Sequence, residues 1–327
     1  MYILEQSMLM KADIILTSNK NSISKGIRYG TSSDFSHAIL YVGGSSYIHS
    51  DSNGVHSGNT QRLLFNKKSE VVVLRDITLT EKEKNLICDY ARNNIGKEYS
   101  KKEAIKTILP KLNINLDRQF CSRLVAQSYS KGYNNIVKDI NYCSPQEIYE
   151  SKQLNKIYNI VRKASKIEIE FAETDSPIKK QENITNNLLA EIRKITSQDI
   201  QTIDEISALL INNQSYDLSI TDIIQKSGYL SMYKEEMKKN PWRYSKNKFL
   251  ELAMSKTELL NLANFELNLF NDNERRYSNM FQGYFNLFNM YNLNYFKINL
   301  DLYTNLLNSI YMQKSTMNEV ILELKNS

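Results

Sequence analysis

Every segment with strand periodicity in this chain precedes every long segment with helix periodicity, and that order limits the folds open to it. Ala12-Asp13-Ile14-Ile15-Leu16-Thr17 reads as a buried strand, followed by a polar loop from residue 18 to 24. Residues 36–42 form the next strand, ended by Gly43-Gly44. Period two puts His37, Ile39 and Tyr41 on one face and Ala38, Leu40 and Val42 on the other. The Gly43-Gly44-Ser45 turn predicts that Tyr47-Ile48-His49 returns antiparallel as the second arm of a hairpin. Val71-Val72-Val73-Leu74-Arg75 is continuously apolar and β-branched, the clearest strand of all.

At Thr80 the period changes. Thr80-Glu81-Lys82-Glu83 has the capping-box pattern and opens a helix to about Asn94, stopped by Gly96. Tyr99 and a basic loop or helix carrying Lys101, Lys102 and Lys106 come next. After Cys121, Leu124, Val125 and Ser128 recur at the spacing of a buried helical stripe, with Gly132 as its stop. Ser144-Pro145-Gln146-Glu147 is a second helix start, with serine as cap and proline at the first position. Strands followed by helices give an α+β fold with an antiparallel sheet and packed helices.

From about residue 160 the composition shifts. Residues 163–187 are charged and polar around Pro177 and are expected to be a linker between a domain at 1–165 and a mostly helical one at 166–327. Helices are predicted at 188–195, 246–274 and 300–324. Only 10 glycines and 4 prolines punctuate the chain, which suits long helices. The second domain has no histidine and no cysteine, so recognition or docking of a protein partner is the role expected for it. Its uncharged stretch 277–296 carries Phe281, Tyr284, Phe285, Phe288, Tyr291, Tyr295 and Phe296. Seven Asn, Gln and Gly residues interrupt it, which argues for an aromatic core helix and against a bilayer span.

The formal charge of +6 is a mild excess for 38.0 kDa, and no basic block interleaves with aromatics, so no nucleic-acid partner is expected. No secretory signal pattern and no transmembrane span can be read, so the expected location is the cytoplasm. Cys88, Cys121 and Cys143 form neither a CxxC pair nor an even framework, which fits a reducing compartment and gives no metal and no cofactor.

Chemistry concentrates at Phe120-Cys121-Ser122-Arg123-Leu124-Val125. A sulfur in the first turn of a helix sees unpaired N–H groups and the positive end of the helix dipole, both of which favour thiolate. It becomes a nucleophile when a histidine is in reach. The chain has three histidines, all before the cysteine. His37 sits in a strand among apolar residues, where a neutral imidazole needs a partner. His49 lies on the adjoining hairpin arm, where it can bond the far nitrogen of His37 and fix its tautomer. His56, in a Gly/Ser/Asn loop, is expected to be solvent-exposed. Cys88 reads as core, and Cys143 has no histidine suggested beside it.

These residues carry a resemblance. A strand of the form Asp-Ile-Ile, then Ser36-His37 with Tyr41-Val42-Gly43, a second histidine twelve positions later, Gly96-Lys97-Glu98-Tyr99, and a late Phe120-Cys121-Ser122 helix are similar to the circularly permuted NlpC/P60 (papain-like) family. That group includes the YiiX/YebB-like hydrolases and the lecithin retinol acyltransferase-like enzymes, and the permuted order puts histidine before cysteine. The resemblance covers roughly residues 11–150. Two positions depart from the pattern. Ala12 stands where a glycine commonly precedes the first strand, and Arg123 replaces an acidic residue often found two places after the cysteine, which changes the charge expected at the mouth of the site.

Carried over, the resemblance implies Cys121 as nucleophile, His37 as general base and later acid, and His49 as orienting third member, with Asp51 as its alternative. The Cys121 N–H would form part of the oxyanion hole. Tyr99 and Ser122 are further pocket or oxyanion candidates, Tyr99 being equally a core residue. The activity implied is a cysteine hydrolase cleaving a peptide, isopeptide or ester bond through an acyl-cysteine, with delivery as an effector or toxin as a further expectation. The alternatives are a lipid acyltransferase or phospholipase acting on an acyl-lipid, and an inactive papain-like interaction module.

Overall fold

The computed structural model describes residues 1–18, 34–99 and 119–326. Most of the polar loop expected at 18–24 and the basic segment with Lys101, Lys102 and Lys106 lie outside them. The chain divides into two compact units, Met1–Glu182 and Asn183–Ser327.

The first unit is α+β. Its strands are β1 (Tyr2–Leu4), β2 (Ile14–Thr17), β3 (His37–Gly43), β4 (Ser46–Asp51), β5 (Gly54–Asn59), β6 (Val71–Arg75), β7 (Asn155–Lys156) and β8 (Val161–Lys163). Among the described residues an antiparallel sheet of order β5-β4-β3-β2-β6-β7 forms, and β1 pairs separately with β8. Helix α1 (Glu81–Asn93) starts at the Thr80/Glu83 capping box. Helices α2 (Cys121–Lys131) and α3 (Pro145–Tyr149) follow, the first ending at Gly132 and the second capped by Ser144.

Strand alternation sorts the core. Ile14, Leu16, Ala38, Leu40 and Ile48 face α1 and α2, where Ile87, Cys88, Leu124, Val125 and Tyr129 fill the space between sheet and helices. The odd-numbered Ile15, Ile39, Tyr41, Tyr47 and Val73 cover the opposite face with Leu4, Phe65 and Ile160. The Tyr129 hydroxyl ties α2 to the sheet by donating to the Ala12 carbonyl at 2.6 Å. Ala12 itself sits at φ 70°, in the left-handed region that favours glycine. That conformation gives a physical reason for the glycine common at this place in the resembling family.

The β4–β5 hairpin turns through Ser52-Asn53, and Gly54 follows at φ +94°. A methyl group there would stand 2.5 Å from the Lys97 carbonyl oxygen. Gly54→Ala is therefore expected to lower the unfolding free energy by about 2 kcal/mol, readable by urea denaturation.

Residues 163–187, where the division between the two units falls, are helical. Helix α4 (Lys166–Glu173) and the start of α5 (Pro177–Thr196) occupy them. Their polarity is that of exposed helix faces, and the local start signals are present: Ser165 with Glu168 makes a capping box, and Pro177 opens α5.

The second unit is helical, with α6 (Ile203–Asn212), α7 (Asp217–Ser227), α8 (Met232–Lys239), α9 (Lys246–Leu250), α10 (Lys256–Tyr291) and α11 (Asn294–Asn326). The helix expected over 246–274 is interrupted after Leu250, and α10 restarts at a Ser255/Glu258 capping box. Asn292, in the left-handed region, ends α10, and α11 packs back along it. The buried Asp217 carboxylate accepts the N–H groups of Asn294 and Tyr295, each at 2.9 Å, at the α11 N-terminus. Tyr284, Tyr295 and Phe296 of the aromatic stretch are buried together, while Phe285 and Met290 are exposed. Among the described residues no helix is long and apolar enough to cross a membrane.

Candidate active site

Three strands and one helix start converge on the end of the sheet where β3 begins. His37 opens β3, and β4 runs antiparallel to it with Ile39 opposite His49. His37 is therefore diagonal to His49, within reach for a long side chain. His37 Nε2 lies 2.7 Å from His49 Nδ1, and the rings meet edge to face. Burial pushes His37 down to about 4 and His49 well below its ordinary value, so both imidazoles are neutral near pH 7. One nitrogen of the pair then donates and the other accepts.

Cys121 reaches the same strand end from the α2 face. Its sulfur opens α2 beside the backbone N–H groups of Ala38, Ser122 and Cys121, all of which favour the thiolate. Ala38 directly follows His37 in the chain, and the described residues include no Cys121–His37 hydrogen bond. Burial outweighs the three N–H groups and pushes the Cys121 thiol up. The thiolate expected from helix position alone is thus overruled by desolvation. The resting pair is thiol and neutral imidazole.

The remaining candidates divide. The Ser122 hydroxyl donates to the Cys143 carbonyl at 2.6 Å and also lies close enough to the Cys121 sulfur to favour its thiolate. Tyr99 is half-buried; burial raises its hydroxyl, and Cys121 and Asp51 are near enough to add to the effect. Arg123 does not charge the mouth of the site. It is fully buried, stacks on Phe120 at 4.5 Å and Tyr142 at 5.2 Å, and donates to the Asn141 carbonyl.

Asp51 pairs with a residue expected to be exposed. His56 is buried on β5 directly opposite His49, with its Nε2 3.0 Å from Asp51 Oδ1 and its Nδ1 3.2 Å from Glu182 Oε2. Burial opposes the charge on His56, but Asp51 and Glu182 outweigh it and raise its pKa. Burial likewise opposes the Asp51 carboxylate, and the His56 and Asn53 bonds overcome it and hold Asp51 far below the usual range. The Ser52-Asn53-Gly54 turn was the signal that could have placed His56 on a strand facing His49. Glu182, from α5, had no local signal. Among the described residues His49, Asp51 and His56 are also a group whose ligand atoms lie within 4.8 Å of one another.

The family model of the permuted papain-like amidase enzymes, YaeF/YiiX, matches residues 8–202. The chain belongs to that family. A permuted papain-like amidase hydrolyses amide bonds, and the α+β sheet-and-helix architecture described above is the fold in which this one is built. The crystal structure of the metalloprotein yiiX from Escherichia coli O157:H7 is similar at 20% identity over 45% of this chain and 96% of that one, with a TM-score of 0.33. No curated protein matches. Within the family match lie His37, His49 and Cys121, and also Asp51, His56 and Glu182.

Proposed function

We propose that this amidase works through an acyl-cysteine on Cys121, with His37 as general base and then acid and His49 as the residue that orients it. The observation that carries the reading is the 2.7 Å contact between His37 Nε2 and His49 Nδ1. With Nε2 committed to His49, Nδ1 is the His37 nitrogen that can take the thiol proton.

In the first half-reaction the sulfur attacks the amide carbon as its proton passes to His37 Nδ1. The oxyanion forms against the backbone N–H groups at the α2 start. The C–N bond then breaks, and the amine leaves with the proton from His37. In the second half a water gives a proton to His37 and attacks the thioester carbon. The C–S bond breaks, the acid departs and the proton returns to sulfur. The acyl group is that of a peptide or isopeptide. His37 Nε2 must hold its proton throughout and donate it to His49 Nδ1, which puts the His49 proton on Nε2.

The test is a pH profile. His37 has to be neutral to accept a proton, and burial holds it at about 4, so kcat/KM is expected to fall as pH drops through about 4. Iodoacetamide should alkylate Cys121, which is 8% exposed, ahead of Cys88 and Cys143 at 0%. Its rate should keep rising above pH 9, the ordinary thiol value, and change little in His37→Ala. An acid limb near 6.5, or a Cys121 rate already level at pH 7, would contradict the neutral pair.

A further inference from the structure

We infer that His49, Asp51 and His56 form a binding site for a divalent transition-metal ion of the zinc class, and that the ion, when bound, switches the amidase off. The second half of this inference rests on the catalytic reading above; the first half does not.

The argument starts from His56. Its Nδ1 faces Glu182 Oε2 at 3.2 Å, and Glu182 is fixed by Lys179 at 2.5 Å. A proton on Nδ1 satisfies that contact and leaves a lone pair on Nε2. Nε2 then looks at Asp51 Oδ1, a second acceptor, across 3.0 Å. Two acceptors this close need a cation between them. A proton is one occupant and gives the His56–Asp51 ion pair described above, though the buried Nε2 is not well aligned with the carboxylate. A metal ion is the other. Ligand bonds of ~2.0–2.1 Å give a tetrahedral edge of roughly 3.3 Å, close to the spacing found. The histidine with its far nitrogen on a carboxylate is also the arrangement that orients imidazole for zinc.

His49 supplies the third ligand. It faces His56 at 4.3 Å between ring centroids, and the three donor atoms lie within 4.8 Å of one another. Its Nδ1 is engaged by His37, so Nε2 is the nitrogen offered to the ion. Two nitrogens and one carboxylate oxygen, with a fourth position for water, suit zinc or cobalt better than magnesium or calcium.

The consequence for catalysis follows from proton positions. An ion on His49 Nε2 displaces the proton there, and His49 in its neutral form then carries its proton on Nδ1. It must donate to His37 Nε2, so His37 holds its own proton on Nδ1. That nitrogen can no longer accept from the Cys121 thiol. No bond is made or broken in substrate; the ion selects the wrong tautomer.

The test uses the full chain with Cys121→Ala, which removes the thiol as a competing ligand. Titration with cobalt(II) chloride is expected to give one ion per chain with the intense visible bands of a four-coordinate site. His56→Gln and, separately, Asp51→Asn should weaken binding by more than about 100-fold, beyond the about 10–100-fold that loss of an outer partner such as Glu182 costs. Circular dichroism establishes that each variant is folded. Absence of binding in Cys121→Ala, or binding that neither variant weakens, overturns the site. On the wild-type chain, zinc should inhibit hydrolysis of a peptide amide and EDTA should restore it. Cobalt binding without zinc inhibition overturns the switch and leaves the site. A chain with no hydrolysis in any condition counts against the catalytic reading, and the cobalt titration still decides the site.

Discussion

Cys121→Ser is expected to lower kcat for amide hydrolysis by about 10⁴-fold or more while leaving the thermal midpoint within about 2 °C of wild type. The substitution changes one buried atom, sulfur to oxygen, at the first position of α2, so packing around Leu124 and Val125 is untouched. The chemistry is not spared. A serine hydroxyl is a far weaker acid than a thiol, and neutral His37, held at about 4, is too weak a base to activate it. His37→Gln should cost a similar factor, and the double variant should be no worse than either alone, because the two act as one unit. Amine release from a panel of peptidyl amides measures this, with labelling of Cys121 by an electrophilic peptide as a readout free of turnover. Activity retained in Cys121→Ser would make the cysteine structural and shift attention to another nucleophile.

The parts of this molecule that local chemistry dictates were readable before any coordinates. Period two in residues 36–42, the Gly43-Gly44 turn and the Thr80 and Ser144 capping boxes all act within a few residues, and the strands and helices they specify are present. The His37–His49 contact was legible for the same reason: a tight hairpin fixes register, and register fixes which side chains share a face. What failed depended on distant residues or on dielectric. The Cys121 ionisation looked settled by the helix start, but the sheet and α1 remove the sulfur from water and reverse the sign. His56 looked exposed because its neighbours are Gly, Ser and Asn, yet β4 on one side and Glu182 on the other enclose it. Glu182 comes from a stretch whose polarity suggested a linker, although Ser165-x-x-Glu168 and Pro177 were both helix-start signals within it.

Arg75→Met is expected to cost the first unit about 3–5 kcal/mol, an effect that registers as a thermal midpoint lower by roughly 6–20 °C. The reason lies in Asp13, which is completely buried. Arg75 meets it with two parallel bonds, Nε to Oδ1 at 2.6 Å and Nη2 to Oδ2 at 2.7 Å, and the Met10 N–H adds a third at 2.8 Å. Even so, burial is the largest influence on Asp13 and its pKa is raised. The carboxylate is therefore tolerated because of its partner and is not a net source of stability. Without Arg75 the folded-state pKa of Asp13 moves further above the ordinary 3.8, and the native state then binds the proton more readily than the unfolded chain. A group raised in this way loses stability as pH rises, so the deficit of Arg75→Met should be large at pH 7 and shrink on moving toward pH 4. Arg75→Met with Asp13→Leu should recover most of the loss, since no charge then remains to be buried. A deficit independent of pH, or no recovery in the double variant, would mean that the guanidinium acts through packing. The pair matters beyond stability: the Asp13 carbonyl accepts the Tyr41 N–H at 2.8 Å, and β2 continues from Asp13 to the pairing of Thr17 with His37. Loosening it frees the register of the strand that carries His37, so loss of activity below the melting transition is expected to accompany the loss of stability.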